Sequence, residues 1–155
     1  MNLVLYRPEI PQNTGNIART CASTGSVLHL IRPLGFAIDD AKLKRAGLDY
    51  WHSLDIRFHD SFSAFLASEK LTGSGSPALY VFSTKGTRVY TEPRYGPGDY
   101  LLFGQETAGL PDEIRKAWPC LRIPMVPDNR SLNLSNTVAL VLYEALRQQG
   151  FAGLV

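Results

Sequence analysis

An amide and an arginine near the start of the chain lie at a spacing that suits the binding of a polar ligand. Asn13 is placed to cap a helix, and Arg19 follows about two turns later. Both side chains carry hydrogen-bond donors, and the guanidinium is always charged. Taken alone, the two residues favour an ordinary helix cap followed by an exposed arginine.

Two later stretches carry polar residues directly after apolar strands. Residues 101–111 place Glu106 between glycines, where backbone can approach a ligand closely and a carboxylate can accept hydrogen bonds. Residues 122–136 form a proline-stiffened loop that contains Ser131 and Asn133, and either residue is placed to cap the final helix. Each stretch also fits a plain structural turn, so the three are informative only as a set.

The elements that position these stretches alternate between strands and helices. Strands are predicted at Leu3–Tyr6, Val27–Ile31, Leu54–Phe58, Ala78–Ser83, Tyr100–Gly104 and Leu121–Pro124. Helices are predicted over 13–23 with Gly25 ending the helix, from Asp39 or Asp40 to Gly47, from a cap at Ser61 to about Ser68, over 111–118, and through 137–147 at the end. Residues 71–77 and 84–98 are predicted as loops. This order predicts an α/β fold with a parallel sheet covered on both faces, which binds ligands beyond the carboxyl ends of its strands.

The bulk composition is that of an ordinary folded domain. The 155 residues are 45% hydrophobic and 19% charged, and the net charge of +2 does not by itself indicate nucleic acid. No apolar run is long enough to span a bilayer and no signal-peptide pattern is present, so a cytoplasmic protein is expected. Cys21 and Cys120 are too few for a disulfide framework and are expected to be free thiols.

Several common site motifs are missing from the sequence. It has no Walker loop, no Gly-x-Gly-x-x-Gly between a strand and a helix, and no Gly-x-Ser-x-Gly elbow. His29, His52 and His59 lack metal-ligand spacing, and His29 lies within an apolar strand, as a hydrogen-bonded core histidine would. The sequence therefore supports neither a catalytic triad nor a metal site.

The final helix carries apolar residues on almost every side over residues 137–147. A helix of this kind must be covered on more than one face. We therefore expect a second buried contact in addition to the sheet.

In this order, the three polar stretches resemble the three motifs of the SPOUT superfamily of S-adenosylmethionine-dependent RNA methyltransferases. The motifs are matched by Asn13, Gly15 and Arg19, then by Phe103, Gly104, Glu106, Gly109 and Leu110, and then by Ile123 through Ser135. The resemblance covers nearly the whole chain. It departs at Gln105 and Ala108, where proline and arginine are usual, and we expect the missing arginine to change how this loop contacts RNA.

The resemblance implies both a fold and a cofactor. The fold would be a parallel-sheet α/β domain over residues 1–155, with a deep trefoil knot in its C-terminal half and no separate RNA-binding extension. It would work as a homodimer, with the final helix between the sheet and the partner subunit. S-adenosylmethionine would bind among the knotted loops, and no metal would be needed. The implied cofactor contacts are Phe82, Gly104, Ile123, Ser131 and Leu132.

The implied reaction is attack of a ribose 2′-oxygen on the sulfonium methyl group of the cofactor. Arg19 would position the hydroxyl or its adjacent phosphate, because a guanidinium with a pKa above about 12 is a poor base. Glu106 and Asn133 would complete the catalytic set. The implied RNA contacts are Asn13, Lys85, Arg130 and Tyr143, of which Tyr143 is equally readable as core.

Within the superfamily, the chain is most similar to the enzymes that methylate the wobble ribose, position 34, of tRNA. The stretches at 45–50 and 127–133 carry that similarity. It implies the tRNA anticodon stem-loop as the partner, with leucine isoacceptors expected. Two alternatives stay open: a 2′-O-methyltransferase acting at another tRNA or rRNA nucleotide, and a protein that binds cofactor and RNA without turnover.

Overall fold

Seven parallel strands form the centre of the computed structural model, which describes residues 1–37, 54–71 and 77–155. The strands are β1 (Asn2–Tyr6), β2 (Val27–Ile31), β3 (Ile56–His59), β4 (Leu79–Phe82), β5 (Arg88–Val89), β6 (Tyr100–Phe103) and β7 (Cys120–Arg122). The helices are α1 (Pro11–Thr24), α2 (Phe62–Ser68), α3 (Asp112–Ala117) and α4 (Leu134–Gln148). The strand order is β3-β2-β1-β6-β4-β7-β5, and every strand pair is parallel, so the predicted α/β class is confirmed.

Apolar side chains cover both faces of the sheet, because the two faces carry separate parts of the core. Leu3 and Leu5 of β1 pack on the side of α1 and α4, and Val4 packs on the side of α2 and α3. All three side chains are fully buried. A continuous apolar run of this kind is typical of a central parallel strand, whose two faces both need to be covered.

Most predicted elements lie within two residues of their observed positions, and the exceptions fall in weak patterns. β5 lies inside the loop predicted over 84–98, where it pairs with β7 through only two residues. Two residues are too few to show an alternating pattern, so this prediction was wrong. The short helix predicted from Asp39 or Asp40, the stretch at 45–50 and most of the loop at 71–77 lie outside the described residues.

α1 begins earlier than predicted, and Asn13 does not cap it. The helix starts at Pro11 after Ile10, whose backbone is extended and whose side chain makes no capping bond. Proline suits the first helical position because its fixed φ angle is helical and its missing N–H would have no partner there. The helix ends at Gly25 in the left-handed conformation, with a φ of 64°, as predicted.

α4 is capped by Asn133, one of the two residues proposed from the sequence. The Asn133 side-chain oxygen accepts hydrogen bonds from the backbone N–H groups of Ser135 and Asn136. Ser131 lies in the preceding loop and is not the cap. None of the described helices is long and apolar enough to cross a membrane.

The buried face of α4 packs against α1 and β6. The opposite side leaves Leu140 46% exposed and Tyr143 47% exposed. The reading of Tyr143 as a core residue was therefore wrong. Two large apolar side chains stand uncovered on this helix in the single chain.

Candidate active site

A cavity of about 700 Å³ opens at the carboxyl ends of β1, β4, β6 and β7. Its lining consists of residues 10, 13, 82–85, 103–110, 115, 121, 123, 125, 130–134 and 137. These residues come mainly from the loops that follow the four strands, as the parallel sheet predicts. The volume suits a ligand the size of a nucleoside cofactor.

Aromatic rings and bare backbone form one side of the cavity. Phe82 of β4 and Phe103 of β6 stack with their ring centroids 4.8 Å apart and their planes 15° from parallel. Beside them, a Cβ added to Gly104 would lie 2.4 Å from the carbonyl carbon of Gly109. No side chain fits at position 104, so the backbone itself lines the cavity there.

The loop after β6 is closed by a pair of backbone hydrogen bonds. The N–H of Gln105 donates to the Gly109 oxygen, and the N–H of Gly109 donates to the Gln105 oxygen, both at 3.0 Å. Gly109 adopts a φ of 68°, which a glycine tolerates without strain. Gln105 and Ala108, the two departures from the usual motif, both face the cavity.

Glu106 at the middle of this loop holds the start of α1. One carboxylate oxygen accepts from the backbone N–H of Glu9 at 2.8 Å. The other accepts from the backbone N–H of Ile10 at 3.2 Å and from the side-chain amide of Asn13 at 3.1 Å. The sequence predicted that Glu106 could accept hydrogen bonds from backbone or a neighbouring side chain, and the structure identifies both kinds of donor.

The hydrogen bonds continue from Glu106 through two amides to α4. Because the Asn13 amide nitrogen faces Glu106, its oxygen is left to accept from the Asn133 side-chain nitrogen, at 2.9 Å. The Asn133 oxygen in turn accepts from the Ser135 N–H at 2.9 Å and the Ser135 hydroxyl at 2.7 Å. An ionised carboxylate only accepts, so it fixes which way both amides point. We call this chain of bonds from Glu106 through Asn13 to Asn133 the polar relay.

The charged groups around the cavity are mostly positive. Lys85, Arg115 and Arg130 line it, and Glu106 is the only carboxylate among its lining residues, all of which are described. Arg115 donates from Nε to the Leu110 oxygen at 3.3 Å and forms an ion pair with Asp112. Lys85 and Arg130 have no such ion pair among the described residues, and these two cations favour an anionic partner.

The structure brings ten of the twelve predicted site residues to this one cavity. They are Asn13, Phe82, Lys85, Gly104, Glu106, Ile123, Arg130, Ser131, Leu132 and Asn133. Arg19 lies exposed on α1 and Tyr143 lies exposed on α4, and neither lines the cavity. Any role of these two residues therefore lies outside the cavity wall of their own chain.

Sequence reasoning missed two residues that hold the site together. The Glu9 carboxylate accepts from the backbone N–H of Thr107 at 3.0 Å and from its hydroxyl at 2.8 and 2.9 Å. The signal in the sequence was a carboxylate between Pro8 and Pro11, in a loop stiff enough to aim it.

His29 and His59 form a second polar cluster, away from the cavity. With Glu69 they place three candidate metal ligand atoms within 4.8 Å of one another, although their sequence spacing gave no such indication. The His29 Nδ1 and His59 Nε2 atoms are 3.0 Å apart, and the ring centroids are 5.3 Å apart. At that centroid separation the two nitrogens point straight at each other. This geometry fits an N–H···N hydrogen bond and leaves no position for an ion between the rings.

The side chains around this histidine pair determine which ring nitrogens carry a proton. The Asn2 amide nitrogen donates to the Gly98 oxygen at 2.7 Å, so its oxygen accepts from His29 Nε2, 3.3 Å away. His29 Nδ1 is then an acceptor for His59 Nε2–H, and Ser68 Oγ lies 3.2 Å from the remaining nitrogen of His59. Each ring thus needs one proton only. Burial lowers the pKa of His29 to about 4, which agrees with a neutral pair, and the prediction of a satisfied core histidine is confirmed.

Both cysteines are free, as predicted. Cys21 is buried, and burial raises the pKa of its thiol to about 12. Burial also raises the pKa of the half-buried Cys120. A thiol acts as a nucleophile only as thiolate, so neither residue suits that role.

A parallel α/β sheet with a nucleoside-sized cavity at the carboxyl ends of its strands is typical of an enzyme that binds a cofactor. Comparison with known proteins gives the family. The chain belongs to the SpoU rRNA Methylase family, which matches residues 1–143. This confirms the resemblance to SPOUT methyltransferases that the three motifs indicated.

Two similar relatives are named for one activity. A protein of Yersinia pestis named tRNA (cytidine(34)-2'-O)-methyltransferase is 54% identical over 156 residues, covering 99% of this chain and 96% of its own length. A protein of the same name from Escherichia coli K12 is 52% identical, covering 100% of this chain and 98% of its own length.

Two solved structures extend the comparison. A structure described as giving insights into the 2-OH methylation of C/U34 on tRNA is 53% identical, with a TM-score of 0.88 over 96% of this chain and 95% of that one. The SpoU methyltransferase AviRb from Streptomyces viridochromogenes, in complex with AdoMet, is 27% identical. Its TM-score is 0.83 over 96% of this chain and 57% of that one.

Proposed function

We propose that this protein transfers the methyl group of S-adenosylmethionine to the ribose 2′-oxygen of nucleotide 34 in tRNA. The polar relay is the observation that carries the proposal, because it joins the three motif loops around one cavity. The names of the relatives support the substrate, and Lys85 and Arg130 at the cavity suit the RNA backbone. We propose leucine isoacceptors as the tRNAs and the cytoplasm as the location.

The cavity fits the cofactor. Phe82 and Phe103 supply an apolar wall, and Gly104 exposes backbone where a flat nucleoside edge needs donors and acceptors at fixed positions. We assign Phe82, Gly104, Ile123, Ser131 and Leu132 to cofactor binding. When bound, S-adenosylmethionine supplies an electrophilic methyl group on a sulfonium. The rest of the cofactor is a neutral sulfide as a leaving group, so no metal is needed.

The residues of the chain position the reacting ribose. The Asn13 and Asn133 amides are oriented by Glu106, so they present fixed donors and acceptors without rotating during the reaction. Lys85 and Arg130 hold phosphates at the cavity. Because Arg19 is exposed and does not line the cavity of its own chain, we assign it to the RNA phosphate adjacent to the reacting ribose, with a phosphate or water as proton acceptor.

We further propose a homodimer formed through α4 and a deep trefoil knot in the C-terminal half. The exposed Leu140 and Tyr143 support the dimer, because they are large apolar side chains on one helix. Tyr143 is then an interface residue that also reaches the partner's RNA. The family resemblance supports the knot.

The test is methyl transfer from labelled cofactor to leucine tRNA, followed by nucleoside mapping. We expect label at the 2′-oxygen of nucleotide 34. Label at another nucleotide would show that the proposed substrate position is wrong. Tight cofactor binding without transfer to tRNA or rRNA would show a binding protein instead of an enzyme.

A variant tests the assignment of Arg19. Arg19→Ala should keep cofactor affinity and the dimer but lose at least about a hundredfold in transfer rate. Arg94→Ala, which removes an exposed arginine that does not line the cavity, is the matched control. Normal transfer by Arg19→Ala would show that the assignment is wrong.

A further inference from the structure

Two neighbouring loops exchange hydrogen bonds in both directions at the rim of the cavity. The Glu106 carboxylate accepts from the backbone of Glu9 and Ile10, at 2.8 and 3.2 Å. In return, the Glu9 carboxylate accepts from the backbone N–H and the hydroxyl of Thr107. We call this reciprocal contact between residues 9–10 and 106–107 the loop clasp.

The two halves of the loop clasp differ in what they touch. Glu106 and Thr107 line the cavity, and Glu9 does not. Glu9 therefore does not contact a ligand inside the cavity, and its hydrogen bonds reach the lining residues at Thr107 and, by its backbone N–H, at Glu106. Its three contacts with Thr107 are to an ionised acceptor, and bonds of this kind are stronger than those between neutral groups.

The backbone of Glu9 is itself held from the other side. The N–H of Gly35 donates to the Pro8 oxygen at 2.9 Å, and a Cβ added to Gly35 would lie 2.8 Å from the Glu9 Cα. The loop after β2 thus presses directly on residues 8–9. This contact fixes the backbone from which the Glu9 side chain extends, and the carboxylate reaches Thr107.

We propose that Glu9 is a positioning residue, whose carboxylate fixes the loop at 106–108 so that Glu106 stays directed at Asn13. The proposal rests on the proposed methyl transfer and deepens it. Without the Glu9 carboxylate, the N–H and hydroxyl of Thr107 lose the acceptor that holds them. The Glu106 carboxylate is then held only by its own donors, one of which is the Asn13 amide that it orients. Glu106, the first residue of the polar relay, is then less rigidly held, and the Asn13 and Asn133 amides at the reacting ribose lose their fixed orientation.

The first measurement uses the cofactor-free protein, so it does not depend on activity. Hydrogen–deuterium exchange should be faster across residues 105–109 in Glu9→Ala than in the wild type, because the Thr107 N–H has lost its acceptor. Glu9→Gln keeps a neutral acceptor and should fall between the two. Glu113→Ala, which removes an exposed carboxylate from the first turn of α3, is the matched control and should exchange like the wild type.

The second measurement separates positioning from a purely structural role. In Glu9→Ala, kcat for tRNA should fall about tenfold, while cofactor affinity by calorimetry stays within about twofold. Glu9→Gln should recover part of the loss. In a Thr107→Val background the loss caused by Glu9→Ala should shrink, because the two side chains act as one unit.

The outcomes are distinguishable from failure of the proposed function itself. A wild-type protein that transfers no methyl group to tRNA overturns the proposed function, and the exchange result still decides whether Glu9 fixes the loop. Wild-type exchange at 105–109 in Glu9→Ala overturns the proposal. Equal loss of cofactor binding and folding in both Glu9 variants also overturns it, since that would make Glu9 only structural.

Discussion

Acid should destabilise this protein through the buried pair of His29 and His59. Both rings are neutral in the fold, and His29 is fully buried. Burial is the largest cause that lowers the pKa of His29 from 6.5 to about 4, and the positive charge of Arg57 adds to it while Glu69 opposes it. Burial lowers the pKa of His59 as well. In the unfolded chain, each ring takes up a proton near its ordinary pKa.

The sign and size of the effect follow from these values. Between pH 6.5 and about 4 the unfolded state binds a proton at His29 that the folded state does not, so stability falls as the pH falls. With about 1.4 kcal/mol per pKa unit, the shift from 6.5 to about 4 gives a loss of about 3 kcal/mol. The loss begins near pH 6.5 and is complete below about pH 4. It is a large share of the stability of a small domain.

Urea unfolding followed by circular dichroism, at fixed protein concentration and half-unit steps from pH 8 to 4, measures this dependence. His29→Asn removes the titrating ring, and its unfolding free energy should decline less steeply over the same interval than that of the wild type. The variant will be less stable at neutral pH, so the slopes and not the absolute values are compared. Parallel slopes between pH 6.5 and 4 would refute the reasoning.

Three further changes test the site and the proposed dimer. Glu106→Gln turns its amide donor toward the backbone N–H of Glu9 or of Ile10, which can only donate, so the unfolding free energy should fall by about 1–3 kcal/mol in urea titrations. Gly104→Ala places a methyl group against Gly109, and calorimetry should show at least about tenfold weaker cofactor binding. Leu140→Glu should convert dimer to monomer in sedimentation experiments without unfolding the chain. Val141 is fully buried in the core of its own subunit, so a charge there would report on folding instead.

The sheet and the location of the site could be predicted because their signals are local. Apolar strands separated by helical patterns predict a parallel sheet. The polar loops that follow these strands are then expected to meet at the carboxyl ends of the strands. Glu106 and Asn133 were predicted because each stands directly after a strand or before a helix. The cap of α2 at Ser61 followed from the same kind of reasoning.

The parts that could not be predicted depend on distant partners. Asn13 looked like a helix cap, yet its amide and the N–H of Ile10 are satisfied by a carboxylate 93 residues or more away. The pairing of His29 with His59 crosses 30 residues and needs β2 and β3 side by side. Periodicity and spacing describe residues that are close along the sequence, so they cannot predict contacts between residues that are far apart in it.

The span of the polar relay has a consequence for how the protein is made. Asn13 meets Glu106 across 93 positions and Asn133 across 120 positions. On the ribosome, the first strands emerge and can begin to pair long before α4 exists. A nascent chain that still lacks α4 therefore has no complete polar relay and no closed cavity. The protein can form its complete binding site only when synthesis is nearly over. Ligand binding therefore reports that the last helix has docked.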